Sequence, residues 1–127
     1  MFTADQLVAH AIGDYILQSH WMATYKTKQH VAAAIHALTY GIPFVALTYV
    51  SETNVSLLAL AVIVGTHFLI DRYRLARFVN WAKNGARGPF TATGYADDVP
   101  AWLAVWLLII TDNILHVCVN AAALRWL

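Results

Sequence analysis

Charge is what this sequence has least of. Only 12% of its 127 residues are Asp, Glu, Lys or Arg, 60% are hydrophobic, and the mean hydropathy is +0.56. A soluble domain is nearer ~25% charged and ~45–50% apolar, so the composition points to a membrane protein. The formal net charge of +1 excludes the strongly basic face that nucleic-acid binding requires. A single cysteine, Cys118, excludes an internal disulfide and a cysteine-based zinc site; in its apolar setting it reads as a small core residue. No basic n-region precedes the first apolar stretch, which already holds Asp5, His10 and Asp14, so no cleavable signal peptide is expected. The length leaves room for one domain.

What the sequence has instead is four apolar segments, at about 3–18, 30–50, 55–81 and 101–123. They predict an all-α fold, a polytopic four-helix membrane bundle occupying 1–127. The second segment is long enough to cross ~30 Å of hydrocarbon at 1.5 Å per residue, with a kink expected at Gly41-Ile42-Pro43. The third stays apolar to Ile70, then changes at Asp71-Arg72-Tyr73-Arg74 and is expected to continue as an amphipathic helix to about Trp81. Ser19 to Gln29 reads as a polar connector, Ser51-Glu52-Thr53-Asn54 as a tight turn, and Lys83 to Val99 as a loop leading to a helix start at Pro100. Lys26 and Lys28 fall in connector one; Arg72, Arg74, Arg77, Lys83 and Arg87 fall in connector three; connector two has no basic residue. That asymmetry puts connectors one and three in the cytoplasm of an inner, multi-pass membrane protein. Trp21, Trp81, Trp102 and Trp106 then serve as interface anchors.

The few ionisable groups in these segments are not scattered. His10 with Asp14, His67 with Asp71, and Asp112 with His116 are each four apart, hence on one helix face, and His36 stands in the second segment. A carboxylate at a membrane centre costs at least ~2.5–3.5 kcal/mol, so seven such residues in four segments imply one shared site. The topology puts the first three groups at similar depth. Asp112, twelve residues past Pro100, lies roughly 18 Å along its helix. Either Pro100 to Leu103 rests in the interface or the site is deeper than the other helices imply.

Four imidazoles and three carboxylates suit a divalent transition metal, zinc first, with manganese or iron as alternatives. The metal ligands proposed are His10, Asp14, His36, His67, Asp71, Asp112 and His116, enough for two ions, or for one ion with the remaining side chains orienting its ligands. A proton- or ion-conducting relay and plain interhelical hydrogen bonding, at ~0.6 kcal/mol each, are the competing readings. Tyr40 and Thr66 are candidate donors beside the ligands. The arginine cluster Arg72, Arg74 and Arg77 marks a membrane boundary and binds anionic lipid, or Arg72 or Arg74 grips a substrate phosphate.

In order along the chain, His10 and Asp14 with Leu17-Gln18, His36-Ala37, Thr66-His67 with Ile70-Asp71, and Asp112 with Leu115-His116 resemble the motif series of domain-of-unknown-function family 3307. These are small membrane proteins of bacteria and their phages, related to inner-membrane proteins described as predicted metal-dependent hydrolases. The resemblance spans all four helices. It implies that Gln18 binds substrate or orients a ligand. The function expected is hydrolysis of an ester or phosphoester in a lipid or lipid-linked substrate at the cytoplasmic leaflet. There a metal lowers the pKa of water toward ~7 and Asp14 or Asp112 acts as general base. Gln18, Arg72 and Arg74 are the expected substrate contacts, membrane lipid the expected partner, and self-association is left open. The alternative is a non-enzymatic membrane protein, a metal or ion transporter or a phage module binding a host membrane partner.

Overall fold

The computed structural model describes residues 4–51, 53–86 and 88–127. The expected helix start at Thr3, the place of Glu52 in the tight turn and that of Arg87 in connector three lie outside the described residues. Among the described residues all regular structure is helical: α1 (Ala4–Ala11), a π turn (Ile12–Ile16), α2 (His20–Tyr25), α3 (His30–Val50), α4 (Leu57–Tyr73), α5 (Leu75–Lys83) and α6 (Ala101–Trp126). Two of them, α3 and α6, are long and apolar enough to cross a membrane. The α4 helix has 17 residues and α1 only 8.

Helix ends follow local chemistry where the sequence provides it. The Ser19 and Ser56 hydroxyls accept from the backbone N–H of Met22 and Ala59, at 3.3 and 3.0 Å, and so cap α2 and α4. Pro43 lies inside α3 without ending it. Two boundaries differ from the sequence expectation. The third helix does not run on to Trp81: Arg74 adopts a left-handed conformation (φ 53°, ψ 51°) and divides it into α4 and α5. A non-glycine residue there costs about 1–2 kcal/mol, and tertiary contacts hold it, among them the bond from the Arg74 guanidinium to the Ala92 carbonyl at 3.0 Å. Connector one, read from the sequence as a polar connector, contains α2.

Helix α1 packs on α3 and α6, and α4 packs on the same two. Among the described residues the Cα atoms of α1 and α4 do not come within 8 Å of each other, nor do those of α3 and α6, which meet through side chains such as Tyr40 and Asn120, so the four form a ring around a common centre. Short α2 lies against α3, and α5 lies along α6, where the Thr111 hydroxyl donates to Asn80 Oδ1 at 2.8 Å. The third turn of α6 thus lies beside α5. Asp112 follows Thr111 directly, and its partner His116 lies 3.5 Å from Asp71 Oδ1.

Burial is inverted relative to a water-soluble bundle. Most of the buried apolar residues are alanines, joined by Tyr40, Phe44, Ile63, Leu47 and Ile70. His10, Asp14, His36, His67, Asp71 and His116 are buried too. Outside, Ile16, Leu38, Val50, Leu57, Trp102 and Trp126 are each more than 60% exposed. Cys118 also faces outward, not into the core, because that face of α6 meets no neighbouring helix. The apolar cluster of Phe44, Leu47, Ala59, Ile63 and Ala123 fills one end of the ring; the ionisable groups fill the other.

Candidate metal centre

The first helix reaches this centre through an unusual turn. Over Ile12–Ile16 the backbone widens to a π turn, closed by the Leu17 N–H on the Ile12 carbonyl at 2.9 Å. Such turns insert one residue into a helix and recur at functional sites. Gly13 permits it: a Cβ at that position would lie 2.7 Å from Tyr40 Cδ2 and 3.0 Å from the Tyr40 carbonyl oxygen. Contact with α3 is therefore backbone-close, and the next residue, Asp14, is carried into the ring.

Four side-chain atoms from three elements meet there. Asp14 Oδ1 and His36 Nε2 are 3.1 Å apart, His36 Nε2 and Asp71 Oδ2 3.1 Å, and His67 Nε2 and Asp71 Oδ2 3.1 Å. His67 Nε2 lies 2.9 Å from His36 Nε2 and 3.7 Å from Asp14 Oδ1. A tetrahedron with edges of roughly 3.2 Å has its centre roughly 2.0 Å from each corner, the bond length zinc takes with imidazole nitrogen and carboxylate oxygen. The donor set fits a divalent cation, and the proton inventory points the same way. An imidazole nitrogen has one valence for hydrogen bonding, a proton or a lone pair. His36 Nε2 nevertheless has four polar atoms within 3.2 Å. One proton cannot serve the three of them that can ligate a metal, Asp14 Oδ1, His67 Nε2 and Asp71 Oδ2; a shared cation can. These groups could coordinate a metal ion.

A second set adjoins the first through Asp71. The other oxygen of that carboxylate is 3.5 Å from His116 Nε2, which is 3.4 Å from Asp112 Oδ2. His116 Nε2 is buried with no hydrogen-bond partner. Asp71 thus presents one oxygen to each set, in the manner of a bridging carboxylate.

His10, expected among the ligands, is placed differently. The Asn113 Nδ2 donates to the Ile109 carbonyl at 2.7 Å, which fixes Asn113 Oδ1 as an acceptor for His10 Nε2 at 2.8 Å. His10 Nδ1 must then accept, and it does so from the Tyr40 hydroxyl at 2.8 Å. That hydroxyl accepts in turn from Asn120 Nδ2 at 2.6 Å. Both His10 nitrogens are used, and its nearest approach to Asp14 is 4.0 Å. It braces the centre and does not join the four converging atoms. Tyr40 also stacks flat on the His67 ring, with centroids 3.7 Å apart. The Thr66 hydroxyl, by contrast, bonds carbonyls of its own helix.

A cavity of about 290 Å³ opens beside the centre, lined by Asp14, Asp71 and Asp112 together with Gln18, Lys26 and Arg74. Gln18 Oε1 is buried there without a partner. Arg72 does not line it; its guanidinium donates to the Thr27 carbonyl at 2.9 Å, tying connectors one and three together at the same end of the ring. Lys26, read in the sequence only as a marker of orientation, reaches the centre from α2. Its ammonium is 2.9 Å from Asp71 Oδ2, 3.7 Å from Asp14 Oδ1 and 3.2 Å from His36 Nε2. Burial alone would push the ammonium down, but the carboxylates of Asp71 and Asp14 outweigh it and hold Lys26 above its ordinary value.

A family model described as "Protein of unknown function (DUF3307)" matches residues 2–126, and the chain belongs to that family. No curated protein and no solved structure matches it significantly.

Proposed function

We propose that this DUF3307 chain is a membrane-embedded, metal-dependent hydrolase, cleaving an ester or phosphoester of a lipid or lipid-linked substrate at the cytoplasmic leaflet of the inner membrane. The observation that carries the reading is the convergence of Asp14 Oδ1, His36 Nε2, His67 Nε2 and Asp71 Oδ2 beside a cavity large enough for a headgroup. A divalent cation bound there, zinc first by its donor set with manganese or iron as alternatives, supplies the Lewis acidity that brings the pKa of water toward ~7.

The chain's own residues divide the remaining work. Asp112 lines the cavity, keeps 26% of its side chain exposed and is paired with His116, so it is the better placed general base; Asp14 is committed to His36. Gln18 Oε1, without a partner in the protein, accepts from a hydroxyl or amide of the substrate. Arg74 uses one nitrogen on Ala92 and turns the rest of its fork to a phosphate. Leu108 and Ile109, on the cavity wall, offer an acyl or prenyl chain an apolar approach. Large apolar side chains on the outer surface support insertion in lipid, since exposed apolar area on this scale marks a membrane or a protein interface.

The test begins with elemental analysis of detergent-purified protein. The metal-loaded protein is then incubated with bacterial lipid extract, and products are followed by mass spectrometry. We expect a cleaved lipid with the parent and none with His67→Ala. Bound metal with no product under any likely metal, together with metal flux into liposomes, replaces the hydrolase reading with the transporter.

A further inference from the structure

Among the described residues Lys26 is the cation that reaches the four converging atoms, and no catalytic or binding role described above uses it. Its ammonium does not sit beside the cluster at random. It lies against three of the four converging atoms, Asp71 Oδ2, His36 Nε2 and Asp14 Oδ1, at 2.9, 3.2 and 3.7 Å. Those three atoms form one triangular face of the tetrahedron, and Lys26 shares the cavity wall with Asp14 and Asp71. The ammonium therefore covers the face that looks toward the cavity. His36 and His67 are completely buried, so the other faces are closed by the helices themselves.

Charge makes this arrangement consequential. The carboxylates of Asp14 and Asp71 both face the Lys26 ammonium, at 3.7 and 2.9 Å. A divalent cation and an ammonium sharing the same carboxylate oxygens repel each other, the more so in a medium of low effective dielectric. Both cannot hold those oxygens at full strength. The lysine stem, four methylenes long, is flexible enough to withdraw its head toward the open cavity while its base stays on α2.

We propose that Lys26 is a tethered counter-cation that occupies the carboxylate face of the metal-free centre and is displaced into the cavity when a divalent ion binds. It is a positioning residue: it holds the carboxylates of α4 and of the π turn together without metal. On displacement it adds a second cation to the wall that already bears Arg74, which suits the cavity to an anionic group only once metal is present. The inference rests on the metal reading and predicts something that reading does not, a metal-dependent movement of one amine.

The experiment uses the full protein in detergent, with and without zinc. Its amines are acetylated briefly with acetic anhydride, and the modified peptides are quantified by mass spectrometry. Exposed Lys28 and Lys83 are internal references. Zinc is expected to raise the labelling rate of Lys26 severalfold and leave the other two unchanged. In parallel, zinc affinity is measured by competition with a chromophoric chelator. Lys26→Met, which keeps the stem and removes the competing charge, is expected to bind zinc about tenfold more tightly than the parent. Its metal-free form is expected to melt at a lower temperature than that of the parent. Zinc binding with unchanged or slower Lys26 labelling, or with equal or weaker affinity in Lys26→Met, overturns the displacement and leaves the metal site standing. Failure of both proteins to bind zinc, manganese or iron overturns the metal reading and this inference together.

Discussion

The two ends of the helix ring are built from the same four elements and obey opposite rules. At one end Phe44, Leu47, Ala59, Ile63 and Ala123 pack with Val55, Leu60 and Leu124, and nothing ionisable intervenes. At the other, three carboxylates, three imidazoles and an ammonium crowd a space of a few ångströms. Small and aromatic side chains at the first end let α3, α4 and α6 approach closely. Intact buried charge clusters such as the one at the polar end are weak net contributors to stability, because their desolvation offsets most of the attraction. On the proposed function, the expensive groups at the polar end are there for chemistry.

Substitutions can separate the two ends. The largest effect is expected at Asp71, whose two oxygens serve both ligand sets. Asp71→Asn should lower metal affinity by more than ~100-fold, since losing even a neighbour that merely orients a ligand costs ~10–100-fold. Elemental analysis after gel filtration reads this directly, and near-stoichiometric metal in the variant would break the comparison. Phe44→Ala acts on the opposite end. It should cost about 3–5 kcal/mol of stability by leaving a cavity while metal content per folded protein stays at the parental level; denaturation in mixed micelles beside elemental analysis measures both. Tyr40→Phe sits on the seam, its ring in the apolar cluster and its hydroxyl between His10 and Asn120. Keeping the ring and removing the hydroxyl leaves two buried groups without a partner, so a loss of ~1–3 kcal/mol is expected with the apolar end intact. Hydrogen exchange should then quicken in α1 and not around Ala59 and Ile63.

The comparison also sorts what the sequence reveals from what it hides. The pairs at four-residue spacing are legible because a helix converts spacing into a shared face: His67 and Asp71 lie 3.1 Å apart, and Asp112 and His116 3.4 Å. The apolar segments are legible as helices for the same reason. The first pair misleads, because the π turn inserted between His10 and Asp14 breaks the period on which the argument depends, and His10 goes to Tyr40 and Asn113. That turn is set by the approach of Gly13 to Tyr40, a contact 27 residues away that no local pattern encodes. The break at Arg74 is hidden likewise: glycine or asparagine would have announced a left-handed residue, and arginine does not. Lys26 was out of reach because its partner Asp71 is 45 residues distant and its reach depends on where α2 sits. Asn113, Asn120 and Asn80 carry no pattern of their own, yet each holds a side chain or loop carbonyl at the centre or beside it.

The chain of hydrogen bonds from Asn120 through Tyr40 and His10 to Asn113 has a further consequence, for proton traffic. All its links point one way: amide N–H to hydroxyl, hydroxyl to imidazole, imidazole N–H to amide oxygen. A wire that moves protons must accept one at its entrance and release one at its exit. Here both terminals are carboxamides, which at ordinary pH do neither. The row is plugged at each end, so it polarises its members without conducting. His10 is therefore an insulator in this protein. An imidazole within 4.0 Å of a carboxylate could otherwise have passed protons to it along α1, and this one has both nitrogens engaged by Tyr40 and Asn113.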